Sequence, residues 1–188
     1  LLFGIISSII FFISFFNTRE TVQVVQKKVT LKKALKSLST NTPWQLFALN
    51  IIFMFGAIFI QSGALVYYFA YYVGNSSLGA VVATISSLVP LATNFLVPYL
   101  SKKLGKTKLF LIGSGIHIVG MIIILIARTL TPIIIAGAFI SAFGLGLKQT
   151  IYFSMQADPV DYGEWKTGIN AAGTLSAVNG FVGKCAQA

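Results

Sequence analysis

Long apolar stretches alternate with short polar segments along the whole of this 188-residue chain. The apolar stretches cover approximately residues 1–16, 44–73, 78–100, 109–127, 132–156 and 169–188. A membrane-spanning helix needs roughly 20 predominantly apolar residues, and the four inner stretches approach or exceed that length. The pattern therefore predicts an all-α membrane protein with about six transmembrane helices, of which the first and last are truncated.

The two ends of the sequence indicate how the chain is divided. It begins at Leu1 rather than at a methionine, and both ends fall inside apolar runs, which we interpret as cuts within a longer protein. Residues 1–16 are expected to be the end of a truncated transmembrane helix. Residues 17–44 are expected to form a basic cytoplasmic central loop, and residues 45–188 a partial C-terminal transmembrane bundle.

Basic residues cluster in two of the polar segments. Residues 17–42 carry six of them against Glu20 alone, residues 101–108 carry four more, and the intervening turn at 74–77 carries none. Because cytoplasmic loops are enriched in Lys and Arg, both basic segments are predicted to be cytoplasmic. Leucines at helical spacing within residues 31–38 are consistent with a short helix on the membrane surface, and a solvated basic linker is the alternative left open.

Composition excludes several classes of protein. The chain is 56% hydrophobic and 10% charged, whereas about a quarter of the residues in a soluble domain are charged. Its net charge of +10 comes from cations in loops between membrane spans, so the bilayer rather than nucleic acid is the expected partner. The single Cys185 excludes an intrachain disulfide, and the sequence shows no metal-ligand set and no cofactor site.

Three features inside the spans carry structural information. Pro90 and Pro98 remove backbone donors and predict a kinked third span. Gly137, Gly144 and Gly146 are small residues that let helices approach closely in a membrane. His117 lies near the middle of the fourth span, and two interpretations stay open for it: a proton site or a hydrogen bond to a neighbouring helix.

Two lysines fall deep inside predicted spans. Lys148 precedes Asp158 by ten residues, which corresponds to about 15 Å of helix in a hydrocarbon core of about 30 Å. Lys184 lies similarly far into the last span. An ammonium group at that depth costs about 2.5–3.5 kcal/mol. Because no span contains a carboxylate, we expect the partner in a missing part of the protein or in a hydrated cavity; snorkelling from a helix end is the alternative.

The segment from Ala157 to Gly168 mixes charge and turn residues more densely than any other. It holds three of the four acidic residues and separates the last two apolar stretches, so it is predicted to be a cytoplasmic hinge. Its core, DYGEWKTG at residues 161–168, resembles the signature between the tenth and eleventh helices of the glycoside-pentoside-hexuronide:cation symporter family, within the major facilitator superfamily. Lys184 follows Asp161 by 23 positions, as a lysine does in that family.

The resemblance implies coupled transport, in which a sugar or glycoside moves with Na+ or H+ by alternating access. The chain would then be a partial major-facilitator bundle that runs from helix six to helix eleven of twelve. The sugar, the coupling cation and a missing N-terminal half of the same protein are the implied partners. The acidic cation ligands of the family lie in that missing half, so no metal site is expected in this chain.

The resemblance also implies a cytoplasmic gate. Carboxylates of the hinge would hold the cytoplasmic side shut through ion pairs that break as the two halves rock. The implied gate residues are Asp158, Asp161, Glu164 and Lys166. Lys102, Lys103 and Lys166 are the candidate local partners of the carboxylates.

By the same resemblance Lys184 corresponds to the helix-eleven lysine close to the sugar and cation sites. The candidates for the vicinity of that site are Lys184, Asn179, Lys148, Gln149 and Tyr152. Gln149 stands where a familiar member of the family has a sugar-stacking tryptophan, and Asn179 stands in place of a glutamine on helix eleven. With Lys148 beside Gln149, these changes indicate an anionic or more polar substrate, such as a hexuronide.

Three other functions compete with this interpretation. A major-facilitator carrier of a different solute, such as a lipid or other organic anion, would be favoured if no polar cavity surrounded Asn170, Asn179 and Lys184. A membrane enzyme would use the hinge carboxylates as acid and base. A loop at the membrane face offers no concave site, however, so no enzymatic activity is expected. A purely structural subunit does not account for two buried lysines.

Overall fold

The computed structural model of this chain describes residues 2–18 and 30–187, and these residues form helices and no strand. The helices are α1 (Leu2–Asn17), α2 (Leu31–Ser39), α3 (Thr42–Tyr67), α4 (Ser76–Asn94), α5 (Val97–Leu104), α6 (Lys106–Ala127), α7 (Thr131–Met155), α8 (Asp158–Thr167) and α9 (Ala172–Gln187). The predicted all-α class is therefore confirmed. Arg19, Lys27 and Lys28 of the predicted basic loop lie outside the described residues.

Four segments are long and apolar enough to cross a membrane, and they overlap the four complete spans that the sequence predicts; the last of them also includes α8, which lies in the segment predicted to be a hinge. They are Thr42–Tyr72, Ser76–Asn94, Lys106–Ala127 and Thr131–Thr167. The first of them consists of α3 and a π-helical turn that continues it. Helices α1 and α9, with 16 residues each, occupy the two spans predicted to be truncated.

The third span is interrupted, as its prolines predict. Helix α4 contains Pro90 and ends at Asn94, and α5 begins at Val97 with Pro98 in its first turn. A proline inside a helix removes one hydrogen bond and displaces the preceding turn, which accounts for the break between the two helices. Gly105 follows with a φ of 79°, a left-handed conformation that suits glycine, and α6 begins at the next residue.

Helix α7 lies at the centre of the bundle, with α6 and α4 as its main neighbours. The contact with α6 is close because glycines face it: a Cβ on Gly120 would collide with the Ser141 backbone, and one on Gly144 with the His117 backbone nitrogen. A Cβ on Gly137 would lie 3.0 Å from the Gly120 carbonyl oxygen. The close helix approach predicted from Gly137 and Gly144 is therefore confirmed. We call this contact the α6–α7 seam.

Helix α2 forms within the predicted central loop, so the helical interpretation of that segment holds for residues 31–39. It packs against α3, α8 and α9, which buries Leu38 and Ser37 and leaves Leu35 exposed. Helix α1 behaves differently, because every side chain from Phe3 to Asn17 is exposed. A helix that is apolar on all sides is stable in lipid or against other protein, as expected for part of a membrane span.

Candidate functional site

The two lysines predicted inside membrane spans have different surroundings. Lys148 is half-buried on α7, and its backbone nitrogen would lie 2.9 Å from a Cβ on Gly113 of α6. Lys184 is exposed in the last turn of α9. Neither ammonium group makes a salt bridge within residues 2–18 and 30–187. The described fold thus gives neither lysine an internal counter-ion, and the roles assigned to both stay predictions.

Asn179 is buried where α9 packs against α3. Trp44 Nε1 donates a hydrogen bond to Asn179 Oδ1 at 3.0 Å. The Nδ2 of Asn179 and the Oδ1 of Asn50 are buried and have no hydrogen-bond partner among the described residues. Because a buried polar atom without a partner costs about 1–3 kcal/mol, a bound water or ligand atom would stabilise either position. Asn170 lies apart from them and bonds to Glu164.

Tyr152 packs against α3. Its ring stacks on Phe47 with a centroid separation of 5.1 Å and meets Phe55 edge-on at 5.9 Å. Tyr152, Phe47 and Asn50 also line a cavity of about 300 Å³ near the end of the bundle where α8 lies. The structure therefore places Tyr152 in an aromatic cluster, with one edge on a small cavity.

Gln149 faces α4 and lines a different cavity, of about 460 Å³, together with Asn94, Thr150 and Ser87. The Thr150 hydroxyl donates to Asn94 Oδ1 across this cavity wall. Helical spacing places Lys148, Gln149 and Tyr152 on adjoining rows of one side of α7. Gln149 and Tyr152 nevertheless line different cavities, and Lys148 is not among the lining residues of either one. Helix α9 packs mainly against α3, so the described fold does not gather the five candidates in one cavity.

His117 connects three helices. Its Nδ1 atom lies 3.0 Å from both the carbonyl oxygen and the hydroxyl of Ser141 on α7. Its Nε2 atom lies 3.2 Å from Oε1 of Gln61 on α3, and the Gln61 amide nitrogen donates to Met121 Sδ at 3.2 Å. Of the two interpretations left open for His117, this geometry supports hydrogen bonding to neighbouring helices. We call His117, Ser141, Gln61 and Met121 the His117 network.

The charged residues gather at the end of the bundle where residues 101–108 and 158–168 lie, which we call the basic end. Lys106 Nζ donates to Asp158 Oδ1 at 2.8 Å and to the Ser154 carbonyl oxygen at 3.3 Å. Asp158 therefore pairs with a lysine that the sequence did not single out. The turn at Gly105 explains this pairing, because it places the first residue of α6 beside the last turn of α7.

The lysines that the sequence favoured as partners make other contacts. Lys103 lies over the ring of Tyr99, with its Nζ 4.9 Å from the centroid. Lys166 donates to the Thr40 carbonyl oxygen at 2.9 Å and lies over the ring of Tyr162 at 5.7 Å. In this structure Lys166 thus holds the α2–α3 junction, and it does not pair with a carboxylate of the described chain.

Asn41 fixes the same junction from the other side. It is 2% exposed, its Oδ1 accepts from the Trp44 backbone nitrogen at 3.0 Å, and its Nδ2 donates to the Pro159 carbonyl oxygen at 2.7 Å. The side chain therefore caps α3 and ties it to α8. The hydroxyls of Ser37 and Thr167, 3.1 Å apart, add a further link between α2 and α8.

The two remaining carboxylates of the predicted gate are exposed. Glu164 Oε2 accepts a hydrogen bond from Asn170 Nδ2 at 2.9 Å. The Asp161 carboxylate makes no hydrogen bond or salt bridge within the part of the chain that the structure describes. Asp161 and Glu164 are therefore accessible to groups beyond this bundle, whereas Asp158 is already paired.

Sequence reasoning missed Asn41, Gln61 and Ser141. A signal existed for Asn41, since an asparagine two positions before Pro43 is typical of a helix start. A signal also existed for Gln61, because a lone amide inside an apolar span needs a partner. Ser141 carried none, because a serine in a membrane helix usually bonds to its own backbone.

The described helices are long and apolar, and their polar groups lie at helix contacts, in cavities and at the basic end of the bundle. These features define a multi-pass α-helical membrane protein. Residues 1–188 match the family model described as MFS/sugar transport protein. The chain therefore belongs to this family of the major facilitator superfamily, and the resemblance to the glycoside-pentoside-hexuronide:cation symporters is confirmed.

Relatives cover almost all of this chain. It is 34% identical to the isoprimeverose transporter of Lactiplantibacillus pentosus, over 98% of the chain and 39% of the relative. It is 27% identical to the glucuronide carrier protein homolog of Escherichia coli (strain K12), over 98% of the chain and 41% of the relative. The uncharacterized symporter YjmB of Bacillus subtilis (strain 168) is 29% identical, over 99% of the chain and 41% of its own length. The chain thus spans about 40% of the length of these relatives.

Proposed function

We propose that this chain forms part of a symporter that moves a sugar or glycoside together with Na+ or H+ by alternating access. The observation that carries the proposal is the match of the whole chain to a sugar-transport family whose relatives are named as transporters. Because the chain spans about 40% of their length, the rest of such a protein would supply a second half and the cation ligands. A plasma or bacterial inner membrane is the proposed location, and no enzymatic step is proposed.

The basic end supports a gate made of two parts. Lys106 with Asp158, and Lys166 with Thr40, bind elements of this chain to one another. Such pairs stay intact when the bundle moves as a rigid unit. Asp161 and Glu164 are exposed and would form the ion pairs that close the cytoplasmic side in one state and break in the other. Exposed ion pairs of about 0–1 kcal/mol suit a contact that must open repeatedly.

Lys184 is proposed to lie near the sugar and the coupling cation. It is exposed on this bundle, and its spacing from Asp161, which resembles that of the family's helix-eleven lysine, supports the proposal. An amine at membrane depth needs water or a carboxylate, which the second half would provide. Na+ or H+ binding at acidic residues there would change the charge that Lys184 meets, and this change would couple the cation to the sugar.

Uptake by the full-length protein that contains this chain tests the proposal. Isoprimeverose and a methyl glucuronide serve as substrates, each with and without a Na+ gradient and a pH gradient. The Lys184→Ala variant should reach the membrane but lose at least about tenfold in accumulation, the effect of roughly 1.4 kcal/mol. Lys108→Ala, which removes an exposed lysine at the basic end, is the matched control. Undiminished accumulation by Lys184→Ala would remove its assigned role.

The gate is tested by the rate at which a cysteine reporter is alkylated from the cytoplasmic side. With Asn94→Cys in the cavity of Gln149 as reporter, the double variant Asp161→Asn, Glu164→Gln should react severalfold faster, because the inward-open state gains population. Lys106→Gln breaks only a pair within this chain and should leave the rate unchanged. Equal rates in all three proteins would contradict the assignment of Asp161 and Glu164 to the gate.

A second candidate is a carrier of an organic anion. Lys148 favours it, because this half-buried cation has no counter-ion among the described residues and would bind a carboxylate on a substrate. The uptake experiment separates the two candidates. A glucuronide that is accumulated in preference to isoprimeverose, with the preference lost in Lys148→Ala, would establish the anion carrier.

A further inference from the structure

Helix α8 has one buried and one exposed side. Pro159 and Gly163 are buried, whereas Asp161, Glu164 and Trp165 are exposed. Residues three or four positions apart lie on the same side of a helix, so the exposed side carries both carboxylates of the proposed gate. The contacts that hold the buried side therefore set the direction of those two carboxylates.

The buried side of α8 is held by α2 and by the start of α3. Asn41 Nδ2 donates to the Pro159 carbonyl oxygen at 2.7 Å in the first turn of α8. The same nitrogen would lie 2.9 Å from a Cβ on Gly163, one turn further along. In the last turn, the hydroxyl oxygen of Thr167 lies 3.1 Å from that of Ser37. A row of contacts thus follows α8 from its first turn to its last.

Asn41 makes the best protected of these contacts. Among the described polar contacts of α8 with other helices, only that of Asn41 is fully buried. The pair of Lys106 with Asp158 is the other tether near the start of α8, and its side chains are 43% and 52% exposed. Exposed ion pairs contribute little in water, whereas a hydrogen bond in the protein interior is electrostatically stronger. The orientation of α8 therefore depends mainly on Asn41.

We infer that Asn41 is a positioning residue of the cytoplasmic gate. It acts through α8: by holding the turn at Pro159 against the start of α3, it keeps Asp161 and Glu164 directed away from this bundle, where the second half of the transporter would meet them. The inference rests on the proposed gate and adds the residue that orients it. Without this tether, α8 would have to be ordered each time its carboxylates pair, and the entropy cost would weaken the pairs that close the cytoplasmic side.

Replacing Asn41 by aspartate separates positioning from helix capping. Asn41 also caps α3, because its Oδ1 accepts from the Trp44 backbone nitrogen. An aspartate retains that acceptor and is an equally good N-cap, but an ionised carboxylate cannot donate to the Pro159 carbonyl oxygen. Asn75→Asp is the matched control. Asn75 caps α4 through the Leu78 backbone nitrogen, and its Nδ2 donates to no residue that the structure describes.

The distance between two spin labels measures whether α8 has been released. In the full-length protein with Cys185 replaced by alanine, Trp165→Cys and Leu49→Cys place the labels at exposed positions of α8 and α3. Both labels lie on this bundle, so their distance does not report the rocking of the two halves. Double electron–electron resonance should give one narrow distribution for this protein and for Asn75→Asp. The distribution for Asn41→Asp should be about twice as wide, because α8 gains conformational freedom; an unchanged width would overturn the inference.

The alkylation rate of the Asn94→Cys reporter, again with Cys185 replaced by alanine, measures the effect on the gate. Asn41→Asp should raise the rate roughly twofold to tenfold, as the loss of one hydrogen bond does when it shifts a two-state equilibrium. Added to the double variant Asp161→Asn, Glu164→Gln, it should raise the rate no further, because Asn41 acts through those two carboxylates. A merely structural role would not produce this non-additivity.

Gly163→Ala tests the same contact from α8. Its new Cβ would lie 2.9 Å from Asn41 Nδ2, whereas alanine favours the helix itself. It should widen the distance distribution and raise the alkylation rate, as Asn41→Asp does. Gly173→Ala is the control, because a Cβ there meets nothing within 4 Å. Equal results for the two alanine variants would count against the role of Asn41, even if Asn41→Asp failed to reach the membrane.

The inference and the proposed gate can fail separately. If Asp161→Asn, Glu164→Gln leaves the alkylation rate unchanged, the proposed gate falls, and the spin-label distance still decides whether Asn41 positions α8. If that double variant reacts faster but Asn41→Asp does not, only the role of Asn41 falls. Full additivity in the triple variant would also overturn that role, because Asn41 would then act by another route. Asn41→Ala should match Asn41→Asp in rate and melt at a lower temperature, since it loses the cap as well; a wild-type rate would contradict positioning.

Discussion

The two sides of α7 differ in how much of their surface is closely packed. Toward α6, glycines remove the side chains and the two backbones meet, so that a single added carbon at Gly120 or Gly144 has no room. Toward α4, Gly146 is packed as closely, because an added Cβ would collide with Thr93 and lie 2.8 Å from Pro90 Cα. Elsewhere on this side, toward α3 and α4, serines and amides border spaces of about 520 and 460 Å³. The comparison shows that α7 is closely packed along the α6–α7 seam and at Gly146, and that it borders open space only over parts of its other side.

The His117 network joins the two sides. The histidine stands on α6 at the seam, yet its ring nitrogens bond to Ser141 and Gln61, which face the cavity. The rigid side therefore positions the polar groups of the open side.

The largest effect is expected from Gly120→Leu. The new side chain would have to displace the Ser141 backbone, so the destabilisation should reach or exceed the upper end of the roughly 1–3 kcal/mol of an overpacked core. The yield and melting temperature of the detergent-solubilised full-length protein measure it. Gly115→Leu on the same helix is the control, because a Cβ at Gly115 meets nothing within 4 Å. Equal melting temperatures for the two variants would show that the seam is not rigid.

An intermediate effect is expected from His117→Ala. The change removes the ring that bonds to Gln61 Oε1 and to the Ser141 hydroxyl, and leaving these two side chains without that partner should cost about 1–3 kcal/mol. His117→Gln, which can still bond to one of them, should fall between wild type and alanine. Thermal unfolding of the three proteins measures the series. If the alanine and glutamine variants are destabilised equally, His117 contributes to stability through the volume that its ring fills and not through its hydrogen bonds.

The smallest effect on stability is expected from Ala83→Leu on α4. Ala83 is exposed and lines the larger cavity, so the added atoms enter open space and the stability should change by no more than about 0.5 kcal/mol. Comparison with Gly120→Leu in the same melting assay tests the contrast directly, because both variants enlarge a small residue to leucine. A fall in melting temperature as large as that of Gly120→Leu would mean that the cavity side is as closely packed as the seam.

The membrane spans and the class of protein could be predicted from the sequence because the bilayer constrains both. The thickness of the bilayer fixes the length of each apolar run, and backbone groups in lipid must be satisfied within a helix. The break between α4 and α5 was equally predictable, because Pro98 cannot donate a hydrogen bond to the Asn94 carbonyl oxygen and its ring displaces the turn before it.

The contacts of the charged and polar residues were less predictable. Asp158 pairs with Lys106 because the turn at Gly105 sets where α6 begins, and no periodicity encodes the direction of that turn. Lys166 bonds to Thr40 because α2 folds back onto α8, a contact between distant segments of the chain. Whether Lys148 and Lys184 act on a substrate stays a prediction, since their counter-ions are not among the described residues.

The sequence by itself determined that this chain is a bundle of membrane helices, which helices break, and to which transporter signature the hinge belongs. These properties depend on the composition and spacing within each segment, because every helix that crosses the bilayer must be apolar and must satisfy its own backbone hydrogen bonds. Only the tertiary structure decided that Gln61, Ser141 and His117 meet, that Lys106 pairs with Asp158, and that α7 is closely packed against α6 while parts of its other side border open space. Such contacts follow from how helices pack against one another, and packing depends on the shapes of all the side chains together.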